Sequence, residues 1–313
     1  MVTSHSHHEL PVIIPYRLDL TVSALRRLSM NVVDVLTPEG QYVRALAGTH
    51  SPVIVRVEQV RPDALEVTIE SDLTDHTGAL ALVRRMLGAD RDLTDFERAA
   101  ARVAWLAPLV ERMRGVKPPR YPALWDACVN AVVFQQVSLR AASTIMHRLI
   151  CALGQPVMVA GLPMPLYLFP TAEHIQCAAD NALRKTGLSA AKIATLRRVA
   201  DALAAGTLRA TTLERYPSPD AAAILRQIKG IGPWTAAVIL LRGLGRLDVF
   251  PANDASVASN IALVAGSSTF DVPSVLTVLG EQRGMLYFYL LLARLEARGE
   301  IGRPSFERRQ ATT

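Results

Sequence analysis

Cysteine is scarce in this 313-residue sequence, with only Cys128, Cys151 and Cys177. Their odd number and wide spacing exclude a disulfide framework or a cysteine-ligated metal cluster, which need closely spaced sets. Set in apolar, helix-like sequence, all three are expected as buried thiols. Glycine (18), proline (19) and aromatics (7 Phe, 7 Tyr, 3 Trp) are too few, and apolar residues at 50% too many, for a collagen-like, low-complexity or disordered chain. The longest apolar runs, Thr235 to Leu241 and Met285 to Ala293, fall far short of the roughly 20 residues a bilayer span needs, so no membrane association is expected. The start, MVTSHSHHEL, has no basic region followed by a long apolar stretch, so the expected location is the cytoplasm, nucleoid-associated in a bacterium. His5, His7 and His8 on this polar start are expected to be frayed rather than to hold a metal.

Charge is unevenly distributed. The net charge is +6, yet residues 1–100 hold 10 basic against 14 acidic side chains and residues 101–313 hold 24 against 14. A localised basic excess is the electrostatic footprint of a polyanion partner, and it is equally what solvated, Arg-rich helix faces produce.

Two regimes of periodicity divide the chain. In the first hundred residues apolar side chains alternate over Pro52 to Val60 and Ala64 to Glu70, around a turn at Arg61-Pro-Asp63. Val32 to Val35 and Tyr42 to Leu46 flank a second turn, and helical spacing appears at Ser23 to Leu28 and Thr77 to Leu87. After Arg91 the spacing is helical throughout. Thr94 with Glu97 has capping-box spacing and predicts a helix to about Met113. A Pro-rich connector at 117–122 precedes expected helices over 124–153, 171–186, 189–205, 218–229, 233–244, 255–266 and 282–298. The expected fold is a small α+β N-terminal domain followed by an all-α region.

The stretch with most chemical content is Leu225-Arg-Gln-Ile-Lys-Gly-Ile-Gly-Pro-Trp-Thr-Ala236. One helix ends at Lys229 and Pro233 opens the next. The glycines permit a turn that exposes successive N–H groups at a helix N-terminus, a phosphate site that needs no side chain, with Ile231 pinning the corner and Lys229 adding a charge. Taken alone, Gly-x-Gly-Pro fits an ordinary helix corner as well. What shifts the balance is Asp248-Val-Phe-Pro-Ala-Asn-Asp254, one helix downstream, because the returning chain carries a carboxylate back towards the corner. Asp254 is also placed to cap the helix that follows it, and the two roles are compatible.

This combination resembles the helix-hairpin-helix DNA glycosylase superfamily, and the bacterial 3-methyladenine DNA glycosylase II type within it. Trp125 to Ser138, with its Gln-Gln-Val-Ser end, resembles a helix of that family. Phe169-Pro-Thr171, Gly187-Leu-Ser189 with Lys192, and Arg283 to Tyr289 follow in family order, so the resemblance spans about residues 95–300. It implies two helical lobes around a cleft, which divides the chain into an α+β domain (10–92), a lobe from 93–122 plus 245–300, a lobe from 123–244 ending in the hairpin, and a tail (301–313). It also implies double-stranded DNA with damaged bases as partner, a monomer, and hydrolysis of the N-glycosidic bond of alkylated purines such as 3-methyladenine and 7-methylguanine.

By position the catalytic carboxylate is Asp254. Lys229, Gly230, Ile231, Gly232 and Thr235 are the DNA-binding residues, and Phe134, Gln135, Gln136, Trp234 and Tyr287 the substrate pocket. A base alkylated at a ring nitrogen is cationic and leaves without a general acid, so one carboxylate beside the sugar suffices. Relatives that also cut the backbone carry a lysine where Trp234 stands, which implies a monofunctional enzyme. Trp234 either offers its π-face to the base or is a core residue. Gln135 and Gln136 either fill the gap left by a flipped base or are satisfied amides. Phe134 stands where a small residue is often found. The four cysteines that hold an iron–sulfur cluster in some relatives are missing, so neither metal nor cofactor is implied. Other readings are the same fold acting on deaminated or oxidised bases, and a non-catalytic DNA-binding protein.

Overall fold

The structure is a computed structural model in which residues 4–73, 75–251, 255–266 and 271–301 are described. Strand β1 (Ser4–Pro11) and helix α1 (Leu18–Arg26) lead into β2 (Val35–Leu36), β3 (Tyr42–Leu46), β4 (Val53–Arg61) and β5 (Ala64–Ser71). These strands form one antiparallel sheet in the order β1-β5-β4-β3-β2. The alternation that predicts β4 and β5 places Val55, Val57, Leu65, Val67 and Ile69 in a fully buried face. The histidine-rich start is strand rather than frayed chain. It pairs along its whole length with β5, His5 opposite Glu70 and His7 opposite Thr68, so backbone pairing overrides its polar composition.

Helix α2 (Thr77–Met86) adds Val83 and Met86 to that core. A helical region follows: α3 (Thr94–Ala100), α4 (Ala107–Arg112), α5 (Leu124–Val133), α6 (Leu139–Leu153), a small hairpin of β6 (Pro156–Val157) and β7 (Leu166–Tyr167), α7 (Ala172–Cys177), α8 (Asp180–Lys185), α9 (Ala190–Ala204), α10 (Ala210–Arg215), α11 (Ser218–Arg226), α12 (Pro233–Ile239), α13 (Ala255–Ala265), α14 (Val272–Leu279) and α15 (Met285–Glu296). An N-terminal sheet followed by helices is the expected architecture, with local corrections. The expected helix over 94–113 is two helices, because Pro108 suits the first turn of a new helix and not the interior of an old one. Thr94 is the first residue of α3 and not its cap, and the Asp92 carboxylate accepts from its N–H and hydroxyl at 2.9 and 2.6 Å. The stretch 124–153 breaks at 134–138, and α10 and α14 carry no strong sequence signal. Of the cysteines only Cys128 is buried; Cys151 and Cys177 are exposed.

Helix α1 belongs to two cores at once. Leu18, Val22 and Leu25 belong to the core that runs from the sheet into α5, α9 and α12, while Leu20, Ala24 and Leu28 belong to the core of α3, α4 and α15. Leu18, Val22 and Leu25 follow i, i+4 and i+7 on one side of the helix and Leu20 and Ala24 follow i, i+4 on another, so the N-terminal segment is built into the helical region. A fully buried arginine fixes its C-terminal end. Arg242, in the π-helical turn Leu240–Leu244 that continues α12, donates to the carbonyls of Ala24 and Leu25 at 2.9 and 3.2 Å. Its guanidinium lies 4.7 Å from the ring centroid of Tyr121 and 5.8 Å from that of Phe288. A cation on the orphan carbonyls of a helix end is favoured by both hydrogen bonding and the helix dipole.

The sheet is joined to α5 by a buried ionic network. Arg44 on β3 contacts Asp34 at 2.6 Å and Asp126 on α5 at 3.3 Å, and the Tyr42 hydroxyl donates to Asp34 at 2.8 Å. The guanidinium is held closer to Asp34, so burial outweighs it at Asp126 and pushes that carboxyl up to about 6 from an ordinary 3.8. Folding therefore favours the protonated Asp126, a contribution present below about pH 4 and lost as pH rises through about 6. Between pH 5 and 7.5 wild type should lose about 1 kcal/mol of stability that Asp126→Asn does not lose, measured as the difference between their denaturant unfolding free energies at the two pH values.

Candidate functional site

The turn between α5 and α6 is tied to the turn between α11 and α12. Gln135 donates its side-chain amide to the carbonyl of Gly230 at 2.9 Å and to Thr235 Oγ1 at 2.6 Å. Lys192 on α9 donates its ammonium to the carbonyls of Val133 and Gln135, at 2.8 and 3.0 Å. These acceptors lie at the C-terminal end of α5, where helix geometry leaves carbonyls without intrahelical donors. Burial holds the Lys192 ammonium below the ordinary lysine pKa. Ser138 caps α6 by accepting the N–H of Ala141 at 3.2 Å.

The two glycines of the second turn serve different ends. Gly230 has φ 104°, and a Cβ there would lie 2.0 Å from Thr195 Oγ1 on α9. Gly232 has φ −88°, and a Cβ there would meet no atom within 4 Å. Nothing inside the protein demands a glycine at 232, so the bare backbone serves the outer side of the turn. Between them Ile231 is buried in the core, pinning the corner. Lys229 is exposed at its edge, its carbonyl accepting from Arg198 at 3.1 Å. Thr235 is only 2% exposed, with its hydroxyl oxygen engaged by Gln135. Its place is in the rigid frame of the turn.

Both turns edge a cleft of about 1060 Å³. Phe134, Gln135, Gln136, Trp234 and Thr235 line one side, together with Gly230, Ile231 and Gly232. Opposite stand Val257, Ser259 and Asn260 of α13, and Tyr287, Leu290, Leu291 and Arg294 of α15. The structure thus brings the expected pocket side chains and most of the hairpin to one cavity, with Lys229 at its margin. Trp234 and Tyr287 are half-buried, whereas Phe288 and Tyr289 face the core, Tyr289 stacked on Phe96 at 5.2 Å between centroids. Asp254 lies outside the described residues. The helix that begins at the next residue, α13, supplies three residues of the cleft wall.

Two cations in the cleft escaped the sequence reading. Arg294 donates to Ser259 Oγ and Asn260 Oδ1 at 3.2 and 2.7 Å. Its signal was available, since it lies seven residues after Tyr287 on the same helix face. Arg27 had no such signal. It follows α1 with φ 64° and ψ −95°, and its guanidinium lies over the ring of Phe134, 3.7 Å from the centroid. Its Nη2 donates to the Tyr287 hydroxyl at 3.4 Å. Burial works against a Tyr287 phenolate, but the guanidiniums of Arg27 and Arg242 outweigh it and hold this tyrosine below the ordinary value. Among the described residues, Arg27 and Gln136 (φ 53°) are the non-glycine positions with positive φ, and both line this cleft. Backbone strain of this kind gathers at functional sites.

Residues 129–275, which hold both turns of the cleft, match the profile of the HhH-GPD superfamily base excision DNA repair proteins. That stretch, a little under half of the chain, is an HhH-GPD region. The chain is 31% identical over 216 residues to the "Probable bifunctional transcriptional activator/DNA repair enzyme AlkA" of Mycobacterium tuberculosis, covering 69% of this chain and 42% of that one. It is 34% identical over 136 residues to DNA-3-methyladenine glycosylase 1 of Schizosaccharomyces pombe, covering 42% and 54%. The chain thus spans about half the length of these curated relatives. The solved 3-methyladenine DNA glycosylase from Archaeoglobus fulgidus shares the fold, with TM-score 0.76 over 92% of this chain and 99% of that one at 22% identity.

The contrast between the turn's glycines is testable by thermal unfolding. Gly230→Ala should lower stability by about 2 kcal/mol or more, through the left-handed φ and the clash with Thr195. Gly232→Ala should leave it within about 0.5 kcal/mol.

Proposed function

We propose that this chain is a monofunctional DNA glycosylase that flips an alkylated purine, such as 3-methyladenine or 7-methylguanine, out of duplex DNA and hydrolyses its N-glycosidic bond, leaving an abasic site. The observation that carries the reading is the single cleft shared by the Gln-Gln-Val-Ser turn, the Gly-Ile-Gly turn, α13 and α15. Its volume accommodates a nucleotide, and the names of the relatives above point to alkylated bases. In this reading two helical lobes, 93–122 plus 245–300 and 123–244, enclose the cleft, and a monomer binds the damaged duplex.

The roles follow from position and chemistry. Gly232, whose missing side chain leaves open space, lets a phosphate approach the amides of the first turn of α12, with Lys229 as a point charge at the rim. Gln136, exposed and in a left-handed backbone conformation beside the cleft, enters the gap that the flipped base vacates. Gln135 holds the two turns in register through Gly230 and Thr235. Asp254, immediately ahead of a helix that lines the cleft, is the carboxylate that stabilises positive charge developing on the sugar and orients the attacking water. Trp234 presents an aromatic wall to the base and has no amine with which to form a Schiff base, so the strand remains uncut.

Base release from methylated duplex DNA tests this directly. Wild type should release the methylated purine and leave the backbone intact, with no borohydride-trapped adduct; a trapped adduct would overturn the monofunctional reading. Asp254→Asn should reduce release by about 100-fold or more while binding DNA as tightly as wild type or tighter. Gly232→Leu should weaken DNA binding by about tenfold while its melting temperature stays near that of wild type.

A further inference from the structure

We propose that Arg27 tunes the charge preference of the pocket, extending release to neutral purines that carry a hydrogen-bond acceptor at some cost in rate for the cationic alkylpurines. The inference rests on the glycosylase reading above and extends its substrate class. Its first ground is the aromatic wall. A cationic alkylpurine is drawn to the face of an aromatic ring, but the Phe134 face is already covered by the Arg27 guanidinium at 3.7 Å. A second cation brought beside it meets repulsion, and that repulsion is strong because Arg27 is only 3% exposed to solvent. Among the described residues lining the cleft the charged side chains are the cations Arg27 and Arg294.

The second ground is the leaving group. In hydrolysis the sugar–nitrogen bond breaks with its electron pair going to the base, and the water oxygen bonds to the sugar carbon and releases a proton; that proton goes to solvent when the base was cationic and is matched by one taken up by the base when it was neutral. A cationic base becomes neutral as it leaves and needs no help. A neutral base develops negative charge on its ring nitrogens and carbonyl oxygen, and a planar guanidinium is the side chain suited to stabilise that charge. Arg27 thus acts on the transition state of neutral substrates and adds only repulsion for cationic ones.

The third ground is how the side chain is held. Arg27 occupies an unfavourable backbone conformation at the end of α1, directly after the carbonyls that buried Arg242 secures. Tyr287 contacts it from the far wall. A merely solvated arginine at a helix end requires none of this.

The test is single-turnover release of hypoxanthine, a neutral purine with a carbonyl acceptor, and of 7-methylguanine, a cationic one, from duplexes carrying a single lesion. Wild type should release both. In Arg27→Met, which keeps the stem over Phe134, hypoxanthine release should fall by about tenfold or more and 7-methylguanine release should rise about two- to fivefold. Phe134→Leu, which removes the platform beneath the guanidinium, should move the ratio in the same direction and carries the test if Arg27→Met does not fold. A ratio that stays within threefold of wild type, or release of both bases falling together, overturns the proposal. Release of 7-methylguanine without any hypoxanthine release by wild type also overturns it, while leaving the glycosylase reading intact. Failure to release either base defeats the glycosylase reading itself.

Discussion

Burial of the Arg242 guanidinium against the C-terminal carbonyls of α1 is the contact on which the geometry of the cleft depends. It joins elements more than two hundred residues apart in sequence. The arginine belongs to the turn that continues α12, the second helix of the hairpin, and its acceptors belong to the helix that ends at Arg27. Both bonds fall on one nitrogen, Nη2, while Nε and Nη1 are buried without a hydrogen-bond partner, so losing these carbonyls would strand the charge and the packing tolerates little displacement of α1 relative to α12. The chain's close packing enforces the same register, since Gly243 in that turn admits Ala127 of α5 where a Cβ would come within 2.8 Å. The hairpin and the N-terminal segment therefore share one frame, and a group on either can be aimed at the other.

Within that frame the two turns at the cleft are braced by polar contacts more than by apolar packing. The amide of Gln135 reaches both Gly230 and Thr235, and Lys192 closes the end of α5 from behind. A flexible turn at this position would have to be ordered when DNA binds, which lowers affinity. Here that ordering is already present in the folded chain. Gln136, Lys229 and Gly230 are exposed at the edge, with Gly232 and Trp234 half-buried. Rigid support beneath a few outward groups is what positioning against a duplex requires.

The architecture and the hairpin were legible because their signals are local. Alternation at Val53 to Arg61 and Ala64 to Ser71 follows from a single buried face, and a glycine pair followed by Pro233 marks a helix corner whatever surrounds it. β1 was hidden because its stability comes from partner β5 and not from its own residues, two of which, His7 and His8, are more often found in loops. The spacing over 124–153 fits one continuous helix, so periodicity alone did not show the break at 134–138, which the family resemblance marked as a helix end and which depends on Ser138 capping a new helix. Arg27 was beyond any local reading. Its neighbours Arg26 and Leu28 give no cue, and its direction is decided by a helix end whose capping arginine lies at 242.

The acidic balance of the first hundred residues made the N-terminal segment look remote from DNA, yet its most consequential residue is a cation. Net charge describes the outer surface, where long-range attraction to phosphates operates and salt screens it. The interior of a cleft follows a different rule, because a single desolvated guanidinium acts there with little screening. The carboxylates of residues 1–100 are in good part paired on the sheet, as Glu70 is with Arg56 and Glu9 with Arg61, and so they contribute little field at a distance. Arg27 instead stands on an aromatic ring beside a tyrosine hydroxyl, inside the cavity. The selectivity of a pocket is set by the few charges that line it, and in this chain one of them comes from a segment whose overall charge would have argued against looking there.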